Sequence, residues 1–279
     1  MGFAAPSRDP PLGGYRHVVA DVSSLTELFS LDGKTALVTG GTRGIGRMIA
    51  AGYLRAGADV VVASRKAEAV EETVAGLSEL GNCTGQAADL SSEAGAQALG
   101  EAVARTHDHL DILVNNAGAT WGAPLTEHDA DSWNRVLNLN VQGVFHTTKV
   151  LLPLLQERAS ADDPSRVINV GSIDGIHVPA LETYSYGASK AAVHQLTRHL
   201  ARQLAPTVTV NAIAPGPFES KMMAATLEAF GAQIAASAPL KRIGRPDDMA
   251  GVAIYLASRA GAYLTGAVIP VDGGIATTR

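Results

Sequence analysis

Thr35-Ala36-Leu37-Val38-Thr39-Gly40-Gly41-Thr42-Arg43-Gly44-Ile45-Gly46 joins an apolar run to a glycine-rich turn and then to a helix-compatible segment, 47–56. Strand, turn and helix start together form a phosphate cradle: glycines let the backbone come close, and free N–H groups with the helix dipole favour an anion. The spacing is Gly-x-x-x-Gly-x-Gly, looser than the dinucleotide-binding Gly-x-Gly-x-x-Gly. Taken alone the stretch reads equally well as an ordinary tight turn.

The rest of the chain repeats the same alternation. Apolar, β-branched runs at 35–38, 59–63, 112–115, 166–170, 208–212 and 267–271, with a weaker one near 84–87, are bounded by Gly, Pro or Asn and read as seven strands. Helical segments fall between them at 44–56, 67–80, 93–107, 131–155, 183–205 and 246–258. Crossovers of that length suit parallel pairing, which predicts a single-domain, Rossmann-like α/β fold: a doubly wound parallel sheet flanked by helices. In such sheets ligands gather beyond the carboxyl ends of the strands. The glycine turn, Asp89, Asn115, Ser172 and Pro215-Gly216 all lie at or just past a strand end.

Within the 183–205 helix, Tyr186 and Lys190 stand four residues apart and share a face. A phenol titrates near ~10 and an ammonium near ~10.4, and a neighbouring cation favours the phenolate, so the pair predicts acid–base chemistry. Tyr184 is the rival acid, but Ala188 at i+4 offers it no cation. Ser185 and Ser189 have no adjacent base, and no Gly-x-Ser-x-Gly elbow supports a hydrolase.

Composition narrows the function classes. The 279 residues are 46% hydrophobic and 18% charged, enough for a substantial core and unlike a disordered chain. A net charge of −5 gives no electrostatic footprint for nucleic acid or an anionic membrane. The single Cys83 cannot form an intrachain disulfide, reads as a small buried residue near the third strand, and fits a reducing cytoplasm. No Cys/His spacing suggests a metal, and His107 and His109 read as a solvated helix end. No apolar run is long enough to span a bilayer, and no secretory leader is evident. The expectation is a cytoplasmic enzyme. Residues 1–30 read as an extension, Pro- and Gly-rich over 1–14 with a short helix near 21–29, and 31–279 as the catalytic domain.

Asp89-Leu90, Asn115-Asn116-Ala117-Gly118, Asn140, Ser172, Tyr186/Lys190, Asn211 and Pro215-Gly216 follow the glycine turn in one order. In these motifs, over residues 31–274, the chain resembles the short-chain dehydrogenase/reductase family. The resemblance implies that Tyr186 is the acid, that Ser172 donates to the same substrate oxygen, and that Lys190 lowers the Tyr186 pKa and holds the nicotinamide ribose. It implies that Asn140 anchors a proton-relay water to Lys190, against the plainer reading of an Asn that caps or kinks a helix. It assigns cofactor contacts to Gly40, Thr42, Arg43, Gly44, Ile45, Gly46, Ser64, Arg65, Asp89, Leu90, Asn116, Ala117, Gly118, Tyr186, Lys190, Pro215, Gly216, Phe218 and Ser220. Of these, Asp89 would meet the adenine, or merely cap its own loop. The second strand ends in Ser64-Arg65 where an NAD site has an acid for the ribose 2′-OH. Arg65 and Arg43 instead suit a 2′-phosphate, predicting NADPH/NADP+.

One departure from the family pattern is Pro217-Phe218-Glu219-Ser220 after Pro215-Gly216, where a small aliphatic residue and Thr are usual; Ser220 still offers a hydroxyl to the carboxamide. Residues 217–240 read as a lid, with Met222, Met223, Leu227, Phe230 and Ile234 at near-helical spacing; the same stripe suits an amphipathic core helix. Asp89 to Ala96, Ala119-Thr120-Trp121-Gly122, Ala188 to Leu196 and Gly261 to Gly266 look like the 3-oxoacyl reductase branch, including its rhamnolipid-associated type. That resemblance implies reduction of a 3-oxoacyl thioester carried on coenzyme A or an acyl carrier protein. The carrier is open: Arg158, Arg198 and Arg202 are scattered and form no dense basic cluster. Another ketone or alcohol (steroid, sugar, polyol or xenobiotic), or a non-catalytic NADP sensor, are the alternatives. The family also implies a homotetramer, with the helices around Asn140 and Tyr186 and the Val271-Asp272-Gly273-Gly274 region between subunits.

Overall fold

The computed structural model describes residues 23–179 and 181–278. Seven parallel strands form one sheet: β1 (Thr35–Thr39), β2 (Asp59–Ser64), β3 (Cys83–Ala87), β4 (Ile112–Asn115), β5 (Ser165–Val170), β6 (Val208–Pro215) and β7 (Val268–Val271), in the order β3-β2-β1-β4-β5-β6-β7. Val38 pairs with Val62 on one side and Val114 on the other, so β1 sits at the reversal of strand order. The predicted doubly wound sheet is therefore the observed one.

The period-2 geometry of strands splits each run between two cores. Ala36, Val38, Val60, Val62, Ile112 and Val114 face one side, where they meet α2 (Gly44–Arg55), α3 (Ala67–Leu77) and α9 (Pro246–Ala257). Leu37, Val61, Leu113, Val167 and Val210 face the other, against α4 (Glu93–Ala104), α6 (Gly143–Gln156) and α7 (Tyr184–Leu204). β4, β5 and β6 are buried along their whole length, as expected of parallel strands covered on both faces.

Several local expectations change. The helix predicted over 131–155 is three segments: α5 (Ala130–Leu137), a π-helical turn (Asn138–Gln142) and α6. A widened turn of this kind inserts an extra residue and often marks a functional position, and Asn140 lies at its centre. Of the N-terminal extension, only the end is described: Ser24 caps α1 (Leu25–Phe29) through a reciprocal bond with Glu27, while residues 1–22 lie outside the described residues. Cys83 opens β3 and is buried.

His109 is not a solvated helix end. It is buried, with Nδ1 3.1 Å from Asp108, Nε2 3.4 Å from Asp111 and Nε2 3.2 Å from Arg158, because α4 stops at Ala104, short of it. Helix α8 (Ala224–Ser237) occupies the region read as lid or core. It buries none of its residues, so the core-helix alternative falls away: Met222 and Phe230 are exposed, and Met223, Leu227 and Ile234 half-buried.

Candidate active site

β5 delivers Gly171 and Ser172 to the carboxyl edge of the sheet, and a 3-10 turn, Ile173–Gly175, folds them back against α7. The fit is tight: a Cβ on Gly175 would lie 2.7 Å from the Lys190 carbonyl carbon and from Ala191 N. This packing brings Ser172 onto the α7 face that carries Tyr186 and Lys190. The Ser172 side chain stands close enough to the Tyr186 phenol to oppose the rise in its pKa. Lys190, 5% exposed, donates from Nζ to the Val170 carbonyl at 2.7 Å and stands 5.5 Å from the centroid of the Tyr186 ring.

The electrostatics differ from the simple picture of a lysine depressing a tyrosine. Burial pushes the Tyr186 phenol up to about 12, the Ser172 side chain opposes this, and the Asp174 carboxylate pushes further up. Burial lowers Lys190 to about 8, and Asp174 partly restores it. Taking charge out of water disfavours the ionised form of each group. Tyr186 is thus held protonated, as a proton donor must be. Tyr184 is exposed, stacks edge-on to His128 at 5.0 Å and bonds Glu182, away from any cation.

Asn140 is 1% exposed and its amide is in use. Nδ2 donates to the Ala119 carbonyl and to Ser189 Oγ, both at 2.9 Å, and Oδ1 accepts from Ala119 N at 2.8 Å. Ser189 Oγ in turn donates to the Tyr186 carbonyl. The π-turn therefore clamps the loop after β4 to the first turns of α7. A Cβ on Gly118 would sit 3.4 Å from Asn140 Oδ1 and 3.8 Å from Lys190 Nζ, so the absent side chain leaves a polar gap flanked by both.

Around the glycine turn, Gly40 (φ +62°) and Gly44 (φ +51°) adopt left-handed backbone that a side chain resists. Arg43 precedes α2 without making a side-chain cap, leaving the first-turn N–H groups to another acceptor. Asn116 braces the turn from behind: Nδ2 donates to the Thr39 carbonyl at 2.9 Å and the Gly40 carbonyl at 3.1 Å. Thr39 Oγ1 receives the N–H groups of Asn116 and Ala117. Arg43 and Arg65 are both exposed, and Arg65 lies near enough to Asp89 to help lower its pKa, after the Ser91 hydrogen bonds. Asp89 accepts from Ser91 N and Oγ through one oxygen, leaving the other for a ligand. Unpaired helix-start N–H groups, glycine clearance and two free guanidiniums fit a dinucleotide with an extra phosphate.

Not every expected contact can be made by a side chain. Phe218 is 2% exposed with its ring in the core, and a Cβ on Gly244 would lie 2.3 Å from that ring, so any approach to a cofactor is through the Phe218 backbone. The Leu90 side chain likewise faces the core, Ile45 is half-buried against it, and Thr42 accepts from Thr73 through its carbonyl. Ser64 ends β2 half-buried, and Pro215 ends β6 with Gly216 N bonded to the Val271 carbonyl. Ser220 comes within 3.0 Å of a Cβ on Gly44, so the segment after β6 closes over the glycine turn.

A family model described as enoyl-(acyl carrier protein) reductase matches residues 40–276. The chain belongs to the short-chain dehydrogenase/reductase family. It is 52% identical over 250 residues to the rhamnolipids biosynthesis 3-oxoacyl-[acyl-carrier-protein] reductase of Pseudomonas aeruginosa, covering 88% of this chain and 97% of that one. The solved Pseudomonas aeruginosa RhlG/NADP active-site complex superposes with a TM-score of 0.86 at 51% identity, covering 89% and 98% of the two chains. A Beutenbergia cavernae structure described as a putative NAD(P)-dependent gluconate 5-dehydrogenase with bound NADP superposes at 0.82 with 36% identity, covering 89% and 98%. As a member of this short-chain family, the protein is an oxidoreductase.

Two parts of the site escape motif reading. Asn115 Nδ2 donates to Asn169 Oδ1 and Thr148 Oγ1, and Asn169 Nδ2 to Thr197 Oγ1, a buried polar row linking β4, β5, α6 and α7. Asn115 belongs to the Asn115-Asn116-Ala117-Gly118 motif, whereas its partner Asn169, in register on the adjacent strand, matches none. His194, one turn beyond Lys190, is buried and held down to about 4 by burial first, then by Lys190 and Arg198, with the Gly175 backbone opposing the shift. Among the described residues no helix is long and apolar enough to cross a membrane, and no cluster of three metal-ligating side chains occurs.

Proposed function

We propose that this chain reduces the ketone of a 3-oxoacyl thioester to the 3-hydroxyacyl product with NADPH. The convergence of Ser172 and Tyr186, backed by buried Lys190, is the observation that carries this activity. When bound, NADPH supplies the hydride to the carbonyl carbon. Tyr186 gives its phenolic proton to the developing alkoxide, and Ser172 donates a second hydrogen bond to the same oxygen, the arrangement a carbonyl needs. The Asp174 backbone N–H donates to Ser172 Oγ at 3.1 Å, leaving the Ser172 proton free to point at substrate. Lys190 keeps a positive charge beside the phenol and offers its remaining protons to the nicotinamide ribose, while Asn140 holds the neighbouring backbone and the Gly118 gap in which a relay water fits. Arg43 and Arg65 grip the 2′-phosphate; Asp89 takes the adenine; the Ser220 region and α8 act as lid over residues 217–240.

The thioester substrate draws support from the names of the Pseudomonas relatives and from the apolar, unburied face of α8. The same proposal includes acyl carrier protein or coenzyme A as carrier, a cytoplasmic location, a catalytic domain of 31–279 and a homotetramer. Exposed Phe145 on α6, and Tyr255 and Tyr263 near the C-terminus, are apolar surface suited to pairing of copies. NADPH consumption with acetoacetyl and longer 3-oxoacyl thioesters, run against NADH and against Tyr186→Phe, tests the activity. NADPH-dependent turnover that falls by about 10²-fold or more in the variant is expected. NADPH binding without turnover on any thioester would overturn the substrate assignment.

A further inference from the structure

His194 takes no step in the reaction proposed above, yet its ring is wedged against the turn that carries Ser172. A Cβ on Gly171 would collide with His194 Nε2 and lie 2.7 Å from Cδ2, and a Cβ on Gly175 would lie 2.8 Å from Cε1. Gly171 and Gly175 flank Ser172-Ile173-Asp174, so one continuous edge of the imidazole spans both ends of the turn. Neither glycine has the left-handed backbone that favours glycine on conformational grounds. Both positions are bare for want of space: the ring fills it at Gly171, and the ring with the Lys190–Ala191 backbone fills it at Gly175. His194 is 4% exposed, and its Nε2 has no hydrogen-bond partner among the described residues, so that atom contributes bulk rather than a bond. On the sheet side the same turn is pinned by Gly171 N, which donates to the Ile213 carbonyl at 2.7 Å. Burial first, then the charges of Lys190 and Arg198, hold the ring neutral, at about 4, so it keeps one charge state through the neutral range.

We infer that His194 is a positioning residue: its ring is the spacer between α7 and the sheet that sets how far the Ser172 hydroxyl stands from the Tyr186 phenol. Tyr186 and His194 belong to the same helix, eight residues apart, whereas Ser172 arrives from β5. Both donors must meet one carbonyl oxygen, and donors that stabilise a developing oxyanion act at about 2.7–3.1 Å from it. The separation of helix and turn therefore has to be held to a few tenths of an ångström, which a rigid ring does and a shorter side chain does not. With the ring gone, the turn settles toward α7 and carries Ser172 with it.

The inference rests on the reductase activity proposed above, and one arm of its test does not. His194→Ala removes the spacer; His194→Gln keeps a side chain that reaches as far as Nε2. In His194→Ala, kcat for 3-oxoacyl thioester reduction should fall about tenfold, as expected of a displacement below ~1 Å, with NADPH affinity unchanged, and His194→Gln should retain most of the activity. Measured on the residual turnover of Ser172→Ala, the same His194→Ala change should cost less than about twofold, because the group it misplaces is already absent. A merely structural role would lower turnover by the same factor in both backgrounds. Gly171→Ala presses on the same contact from the turn side, and it decides the question if His194→Ala does not fold: it too should cost about tenfold with Ser172 present and little without it. Crystal structures of the wild type and the position-194 or position-171 variant need no turnover, and Ser172 Oγ should be displaced in the variant. An unmoved Ser172, equal losses in the two backgrounds, or a His194→Gln enzyme as slow as His194→Ala would overturn the role. Absence of thioester turnover with a displaced Ser172 would overturn the substrate and leave the role of His194 standing.

Discussion

Replacing Gly46 by Ala should cost more at the cofactor site than in the fold. Gly46 is in the first turn of α2, and a Cβ there would lie 2.4 Å from both Asn116 Nδ2 and the Gly40 carbonyl oxygen. Real Cβ atoms keep at least 3.0 Å, so each neighbour must retreat by about 0.6 Å, the difference between those separations. The retreat pulls directly on the Asn116 bonds to Thr39 and Gly40. Weakening two such bonds costs about 0.5–1.5 kcal/mol each, against a helix-propensity gain of about 1 kcal/mol for Ala over Gly. A net loss near 1 kcal/mol lowers Tm by about 2–4 °C for a domain of this size. The turn proposed to meet the pyrophosphate is displaced at the same time, so NADPH affinity should fall at least about tenfold, since an error of ~1 Å in a positioned contact can cost about 10²-fold. Nucleotide fluorescence titration alongside thermal denaturation separates the two effects. Wild-type NADPH affinity with an unchanged or raised Tm would refute the reasoning, because helix propensity would then have outweighed a clash the turn had absorbed.

Three further outcomes are expected. Gly244→Ala drives a methyl into the buried Phe218 ring and should destabilise by about 1–3 kcal/mol; Phe218→Leu in the same chain should recover part of it, and denaturant melts that show simple additivity would count against the contact. His194 is held neutral, about 4 folded against an ordinary 6.5, so its contribution is complete above pH 6.5 and lost as pH falls toward 4. That contribution is on the order of 3 kcal/mol, and stability curves over this window should flatten in His194→Gln; parallel curves would exclude His194 as the source. Arg65→Ala should weaken NADPH by about tenfold through loss of one exposed charge-assisted contact and leave NADH unchanged, and equal loss of both nucleotides in a binding titration would remove Arg65 from the 2′-phosphate.

The centre of the sheet is legible in the sequence because β1, β4, β5 and β6 are buried along their length and must be continuous apolar runs, punctuated by Gly, Pro and Asn; the edge strand β3, largely unburied, gives the weaker signal. Only boundaries shift: β6 runs on to Pro215, since its full length is covered, and α4 stops three residues short of the predicted end. The π-turn at 138–142 is invisible to periodicity, because one inserted residue leaves the apolar stripe looking helical on either side. In the site, Tyr186, Lys190 and Ser172 stand out through spacing and order. The state of their protons does not, because it depends on burial and on Asp174, whose approach is set by a turn against α7. Phe218 reads as a pocket residue by position, yet its ring fills the space over Gly244, a contact 26 residues away along the chain that no local pattern signals. His109 misleads for a similar reason: Arg158, 49 residues on, meets its Nε2 at 3.2 Å, a contact no local pattern signals.

Helix α8 buries none of its residues, whereas β5 and β6, which carry the edge proposed as catalytic, are covered from end to end. Opening α8 therefore exposes little apolar surface that is not already wet and costs little beyond its own backbone bonds, while loosening β5 requires breaking both cores. In hydrogen exchange this becomes a hierarchy: α8 amides exchanging through small local fluctuations, strand amides only through global unfolding. On the lid reading proposed above, product release and substrate entry would then be set by the motion of one helix while the sheet stays closed. Hardening the core of this enzyme would raise its melting temperature without slowing that exchange, and a disulfide across α8 would do the reverse.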